Sequence, residues 1–198
     1  MCSAGSRLIV EESVRDAVLE KVLAAGRQMP PGDPLDPATK LGAIVDDVQM
    51  QTVLGYIESG RQEGAQLLVG GRQVREETGG CYVEPTVFGD VQPQMKIARE
   101  EIFGPVLAAL TVRDADEAVR VGNSGVYGLA AAVWTRDVTR AHRIARALRA
   151  GVVYVNCYDA DDITTPFGGF KQSGTGRDKS LHAFDKYTEL KTTWVDLS

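Results

Sequence analysis

Three cysteines and two histidines are all that this 198-residue chain offers for thiol or imidazole chemistry. Cys2, Cys81 and Cys157 are odd in number and carry no motif spacing, so no disulfide framework is expected and a reducing, cytoplasmic setting is. With His142 and His182 as the only imidazoles, no Cys/His metal cluster is expected either. Long apolar runs are missing. LAAAVW at 129–134 is among the longest and falls far short of the roughly 20 residues that cross a bilayer, which excludes a membrane partner of that kind. The N-terminus lacks the basic, apolar, small-residue order of a secretory signal, and none is expected. Basic residues are scattered. Their densest cluster, RAHRIARALR at 140–149, reads as a solvated helix face, and a net charge of −5 argues against nucleic acid. No internal repeat or low-complexity tract occurs, and 43% hydrophobic with 25% charged residues is ordinary for a globular domain with a substantial core.

What is present reads as alternating strands and helices. SRLIVEE has strand character, and residues 13–28 carry Val14, Val18, Val22 and Ala25, widened by Leu19 and Leu23, at helical spacing, with Ser13 and Asp16 resembling a capping pair. Four prolines in MPPGDPLDPATKLG demand an extended surface loop. A second helix is expected from near Asp46, followed by a strand AQLLV and by YVEPTVFG, a strand placed at an edge or bend by Pro85. Between residues 105 and 156 the order is strand, helix, strand, helix, strand, with Asp114 and Glu117 as cap and partner and Gly151 closing the second helix. Near-continuous apolar strands in that order predict an α/β fold with a mostly parallel sheet covered on both faces. The tail TELKTTWVDL alternates like a strand and is expected to pair with a neighbouring subunit's edge.

Few side chains are candidates for chemistry. GGFKQSGTGR has the look of a phosphate loop, but no GK[ST] follows at the required spacing, so a glycine-rich turn is the better account. His142 and His182 sit in basic or polar surroundings that suit surface roles. Cys2 is flanked by small residues, which lets a carbonyl approach a thiolate, although an isolated thiol is only a few per cent ionised at neutral pH. In REEIFGPVL, 99–107, two carboxylates and an aromatic precede a buried strand. They read equally as a solvated turn with a core Phe103, or as a carboxylate for a sugar diol beside an aromatic for a planar ring.

Three motifs in series go further. CSAGSRL at 2–8, EEIFGPV at 100–106 and PFGGFKQSGTGR at 166–177 resemble the NAD(P)-dependent aldehyde dehydrogenase superfamily, as do LGYIESGRQEGAQLLVGG and YGLAAAVWTRD between them. The resemblance spans essentially the whole chain and implies a three-layer sandwich, the catalytic domain over residues 1–185 and an oligomerisation tail over 186–198. It implies Cys2 as the nucleophile that adds to an aldehyde carbon, its own backbone N–H helping to hold the oxyanion. Glu101 and Phe103 are implied at the nicotinamide ribose and ring, Gln49 near the cofactor's adenosine ribose, and Asn156 and Phe167 around the substrate channel. The implied cofactor is NAD or NADP, the substrate a small-molecule aldehyde, the assembly a homo-dimer or tetramer, and no metal ion takes part. Members of the family are much longer, with a Rossmann-like cofactor domain before the cysteine. The chain is therefore expected to be the catalytic half, inactive and without bound cofactor by itself.

The stretch between Asn156 and Phe167 reads CYDADDITTP, and in the family this loop lines the aldehyde channel. Asp161 and Asp162 there would favour a substrate with a cationic far end, and KQSGTGRDKSLHAFDKYTELKT resembles the branch acting on γ-glutamyl-γ-aminobutyraldehyde and related amino- or guanidino-aldehydes. Solvated loop residues are the plainer reading of the same aspartates. Two further functions stay open: a non-catalytic assembly module or truncated remnant, and a cofactor-free thiol esterase, which would need a base of its own.

Overall fold

A computed structural model describes residues 2–198, and its internal contacts divide the chain into two compact units, one ending at Gly125 and the other beginning at Val126. The first unit is built on a mixed sheet. Its strands are β1 (Arg7–Glu11), β2 (Gln66–Val69), β5 (Thr86–Gly89) and β6 (Val106–Val112), and two short strands, β3 (Gln73–Val74) and β4 (Tyr82–Val83), form a separate antiparallel pair. The sheet order is β1-β6-β5-β2, with β6 parallel to both neighbours and β2 antiparallel at the edge. The α/β fold with its mostly parallel sheet is as the sequence predicts.

Burial follows position in the sheet. Central β6 buries Val106, Ala108, Ala109, Leu110 and Val112, the signature of a strand covered on both faces, whereas edge strand β1 buries only Val10. Helix α1 (Arg15–Arg27) follows β1, and α2 (Asp47–Gln62) buries Met50, Val53, Ile57 and Gly60, spaced three and four apart. That stripe joins Phe88, Ile97 and Leu110 in one hydrophobic core. The short α3 (Lys96–Arg99) precedes β6, and α4 (Ala115–Gly122) follows it. Asp46 and Asp114 cap α2 and α4 by accepting from the backbone N–H three residues on, Gln49 and Glu117, at 2.8 Å each.

The second unit holds β7 (Tyr127–Gly128), β8 (Ala130–Val133), α5 (Val138–Ala147), β9 (Val152–Val155) and β10 (Phe170–Lys171). β8 and β9 are parallel neighbours, and β10 is antiparallel to β7. A 3-10 segment, Leu181–Lys186, comes last.

Two expectations are corrected. Ser13 does not cap the first helix: its hydroxyl donates to Glu11 Oε1 at 3.0 Å, residues 12–14 form a 3-10 turn, and Ala25 lies exposed while Gly26 is buried. Of the two placements expected for Pro85 the bend is the one seen: the proline lies between β4 and β5, and β5 is an inner strand. The strands between 105 and 156 do not form one sheet, because both edges of β6 are taken by β1 and β5, while β8 pairs with β9. Within the single chain, residues 187–198 have no helix or strand, and Leu190, Trp194 and Leu197 are exposed, so the strand expected there would need its edge from another copy. Alternation alone does not make a strand, whose backbone needs a partner edge.

Candidate active site

In the first unit, the register of the parallel pair locates the thiol. Arg7 lies opposite Ala108, and five residues upstream of each stand Cys2 and Phe103, so both segments enter the sheet from the same end. The N-terminal segment is fastened at several points. Ala108 N–H donates to Ser6 O at 3.0 Å, Ser3 is buried, and the half-buried Arg7 guanidinium donates to Val121 O and Gly122 O at the C-terminal end of α4. Burial pushes the Arg7 pKa down, and the paired carbonyls compensate its desolvation. Cys2 itself is exposed.

The segment 100–105 sorts its residues by alternation. Ile102 is 3% exposed and belongs to the core cluster, whereas Phe103 beside it is 53% exposed. Phe103 takes φ +54°, a left-handed conformation uncommon outside glycine and costly for a bulky residue. Its surroundings hold it there. The Gln49 side-chain amide donates from α2 to Ile102 O at 3.0 Å and Phe103 O at 3.2 Å. At Gly104 a Cβ would lie 2.4 Å from Val53 Cγ2, so only glycine lets this loop lie against α2.

The two adjacent carboxylates, which sequence alone could not tell apart, separate here. Glu100 Oε2 accepts from the Tyr56 hydroxyl at 2.8 Å, and Lys96 sits over that tyrosine ring. Glu101 is exposed and makes no hydrogen bond or ion pair among the described residues. A free carboxylate beside a displayed aromatic fits the ribose and ring of a nicotinamide: the carboxylate accepts from a diol, and the aromatic packs on a planar heterocycle. Gln49 spends both amide hydrogens on the loop backbone, leaving only its carbonyl oxygen toward a ligand.

In the second unit, the expected channel residues are engaged with the chain itself. Asn156 follows β9 at φ +55°, and its amide accepts from Thr135 N–H and donates to Thr135 O, both at 2.9 Å, joining the ends of the two parallel strands. Asp162 accepts from Thr164 N–H at 2.7 Å and Thr164 Oγ1 at 2.6 Å, which holds its carboxyl below the usual carboxylate range. Asp161 pairs with Lys179, whose ammonium also sits 5.5 Å from the centroid of the Phe167 ring. Phe167 exchanges two backbone hydrogen bonds with Asp178, at 2.9 and 2.7 Å. Of the four residues placed in the channel, the structure thus brings Asp161 and Phe167 together through a lysine that the sequence reading did not single out. No spacing rule would have flagged Lys179, which lies 18 residues from Asp161 and meets it only after the chain turns back.

Other groups are accounted for. Arg177 in the glycine-rich turn donates to Gly169 O and Gly176 O at 2.9 Å each, so its cation serves the turn's carbonyls. His182 contacts Asp185 at 3.2 Å, and both histidines belong to the second unit. Among the described residues no cluster of three or more His, Cys, Asp or Glu side chains could hold a metal ion, and no helix is long and apolar enough to cross a membrane.

Comparison with known proteins gives the family. The aldehyde dehydrogenase family matches residues 1–193. The NADP/NAD-dependent aldehyde dehydrogenase PuuC of Escherichia coli K12 is 48% identical over all of this chain, which corresponds to 39% of that protein. Among solved structures, an indole-3-acetaldehyde dehydrogenase in complex with NAD+ superposes with a TM-score of 0.97 at 61% identity, over 100% of this chain and 40% of the other. A γ-glutamyl-γ-aminobutyraldehyde dehydrogenase from Burkholderia cenocepacia J2315 gives a TM-score of 0.94 at 61% identity, over 98% and 39%. The chain therefore spans about two fifths of the length of these relatives, and it belongs to the aldehyde dehydrogenase family.

Proposed function

We propose that the chain is the catalytic portion of an NAD(P)-dependent aldehyde dehydrogenase, oxidising an aldehyde to the carboxylate with Cys2 as nucleophile. The observation that carries this reading is the display of an unpartnered Glu101 and a strained Phe103 at the sheet end from which the Cys2 segment also enters. In this role the Cys2 thiolate adds to the aldehyde carbon, and the carbonyl electron pair moves onto oxygen. The Cys2 backbone N–H donates to that oxyanion, a contact worth most where water is excluded. A nicotinamide, when bound, supplies the acceptor for the hydride that leaves the carbon. Glu101 would hold its ribose hydroxyls and Phe103 its ring, while Gln49 keeps both in place by gripping the loop backbone. Attack of water on a Cys2 thioester releases the acid and restores the thiol.

The substrate class is a nitrogen-bearing aldehyde: an amino- or guanidino-aldehyde or an acylated relative of one. The names of the γ-glutamyl-γ-aminobutyraldehyde dehydrogenase from Burkholderia cenocepacia and of the indole-3-acetaldehyde enzyme support nitrogen-bearing aldehydes in general. Asp161, Asp162, Asn156 and Phe167 are the residues proposed to shape that end of the channel. The exposed tail, with Leu190, Trp194, Val195 and Leu197, is proposed as the surface through which copies assemble into dimers or tetramers.

Cofactor positioning supplies up to about 7–11 kcal/mol of a bimolecular barrier, so the 198-residue chain alone is expected to have no useful dehydrogenase activity. The test is NADH formation with short aldehydes, measured on the chain alone and on the chain fused behind a family cofactor domain. Activity only in the fusion, lost with Cys2→Ala, is the expected result. Undiminished turnover in Cys2→Ala would overturn the proposal.

A further inference from the structure

The loop that should greet a cationic substrate already holds a cation. Lys179 is half-buried, its ammonium pairs with Asp161, and it lies over the Phe167 ring. Carboxylate plus aromatic face is the combination that recognises an alkylammonium or guanidinium group. Here both components are satisfied from within the chain.

The backbone is shaped to hold the lysine there. Lys179 and Ser180 adopt φ +60° and +53° in succession, a range that non-glycine residues rarely enter. Neighbouring contacts hold this segment against the channel loop. Ser180 N–H donates to Ile163 O at 2.8 Å, the Ser180 hydroxyl accepts from His182 N–H at 3.2 Å, and Asp178 on the other side is paired with Lys186. These ties hold the Lys179 backbone beside the channel loop, from which its side chain reaches Asp161 and the Phe167 ring.

We infer that Lys179 is a charge gate for substrate selection: it occupies the Asp161–Phe167 face as a built-in cation, so that aldehydes with a free ammonium or guanidinium end are disfavoured and those whose far end is uncharged, including acylated amines, are accepted. This rests on the function proposed above and narrows its substrate class. A second cation approaching the face meets Lys179 at the distance of a like-charge pair, whereas an uncharged group can pack on the outer part of the ring.

The gate is tested on the chain itself, without turnover. The probes are butylammonium, butanoate and the neutral 1-pentanol, titrated while the NMR signals of the Phe167 ring and the Asp161 and Lys179 backbones are followed. The wild-type chain is expected to show no preference for either charged probe over pentanol. Lys179→Met should bind butylammonium roughly fivefold more tightly than pentanol, the scale of one partly exposed charge pair. Asp161→Asn, which leaves the lysine uncompensated and does not touch the strained backbone, should instead prefer butanoate by a similar factor. Dispersed spectra check that each variant is folded, and the second variant decides the matter if the first is not. Wild-type binding of butylammonium equal to that of Lys179→Met, or an Asp161→Asn chain without preference for the anion, would overturn the gate. Because no cofactor or Cys2 chemistry is involved, failure here leaves the dehydrogenase reading standing, whereas failure of that reading leaves the measured charge preference of the Asp161–Phe167 face intact and removes only its role in aldehyde selection.

Discussion

Two loops carry the candidate chemistry, and they treat their polar groups in opposite ways. The segment 100–105 is anchored by an apolar side chain, Ile102, by a close-packed glycine and by a neutral amide from α2, and it leaves Glu101 and Phe103 unoccupied. The segment 156–167 is anchored by the very residues expected to meet substrate: Asn156 grips Thr135, Asp162 grips Thr164, and Asp161 holds Lys179. A functional group is available to a ligand only where something else does the structural task. That difference is why the first loop, with its side chains free, is the one proposed for cofactor contact, and the second is proposed as a wall whose charges are already balanced.

Ile102→Ala gives the largest expected change. The side chain is almost wholly buried, so its loss should cost about 3 kcal/mol of stability in urea unfolding and release the displayed Phe103. A loss below about 1 kcal/mol would mean that Gln49 and Gly104 alone hold the loop. Asn156→Ala should cost about 2 kcal/mol. It removes two hydrogen bonds to Thr135 and places alanine at φ +55°, where asparagine is better tolerated. An Asn156→Ala chain of wild-type stability would show the side chain free for substrate.

Acidification separates the loops with the smallest effect. Hydrogen bonds from Thr164 hold the Asp162 carboxyl below its usual range, and the side-chain contact with Lys186 does the same for Asp178. Each therefore binds fewer protons in the native state than unfolded. Their stabilisation is complete above the unfolded carboxylate value near 4 and is lost as pH falls through the lower native values. Protection of the Thr164 amide, taken against the unfolded-chain exchange rate at each pH, should fall over that acid window, while residues 102–104, held by a non-titrating amide, should keep theirs. A parallel loss of protection in both segments would erase the contrast.

Local signals were legible in the sequence wherever a single short stretch contained both partners. Asp114 with Glu117 caps its helix as the spacing predicts, the second helix starts next to Asp46 as expected, and the apolar run of β6 reads as a doubly covered strand. Ser13 had the same spacing to Asp16, but an acceptor at Glu11 and a 3-10 turn competed for its hydroxyl. The site was legible as a set of positions and illegible as a set of states. Nothing local to Glu100-Glu101 says that Tyr56, 44 residues upstream of Glu100, claims the first and leaves the second. Lys179 and Asp161 meet only through chain reversal, and the left-handed backbone at Phe103 and Lys179 carries no glycine to announce it.

The most direct test of the central claim, that the Cys2 sulfur is arranged to bond a carbonyl carbon, uses Cys157 as an internal reference, since both thiols are exposed. Iodoacetamide labelling of each cysteine is followed by peptide mass spectrometry with and without a short aldehyde. Selective protection of Cys2 by the aldehyde, with Cys157 labelled at an unchanged rate, is the predicted result. Equal protection of the two thiols, or protection of Cys157 alone, would contradict it.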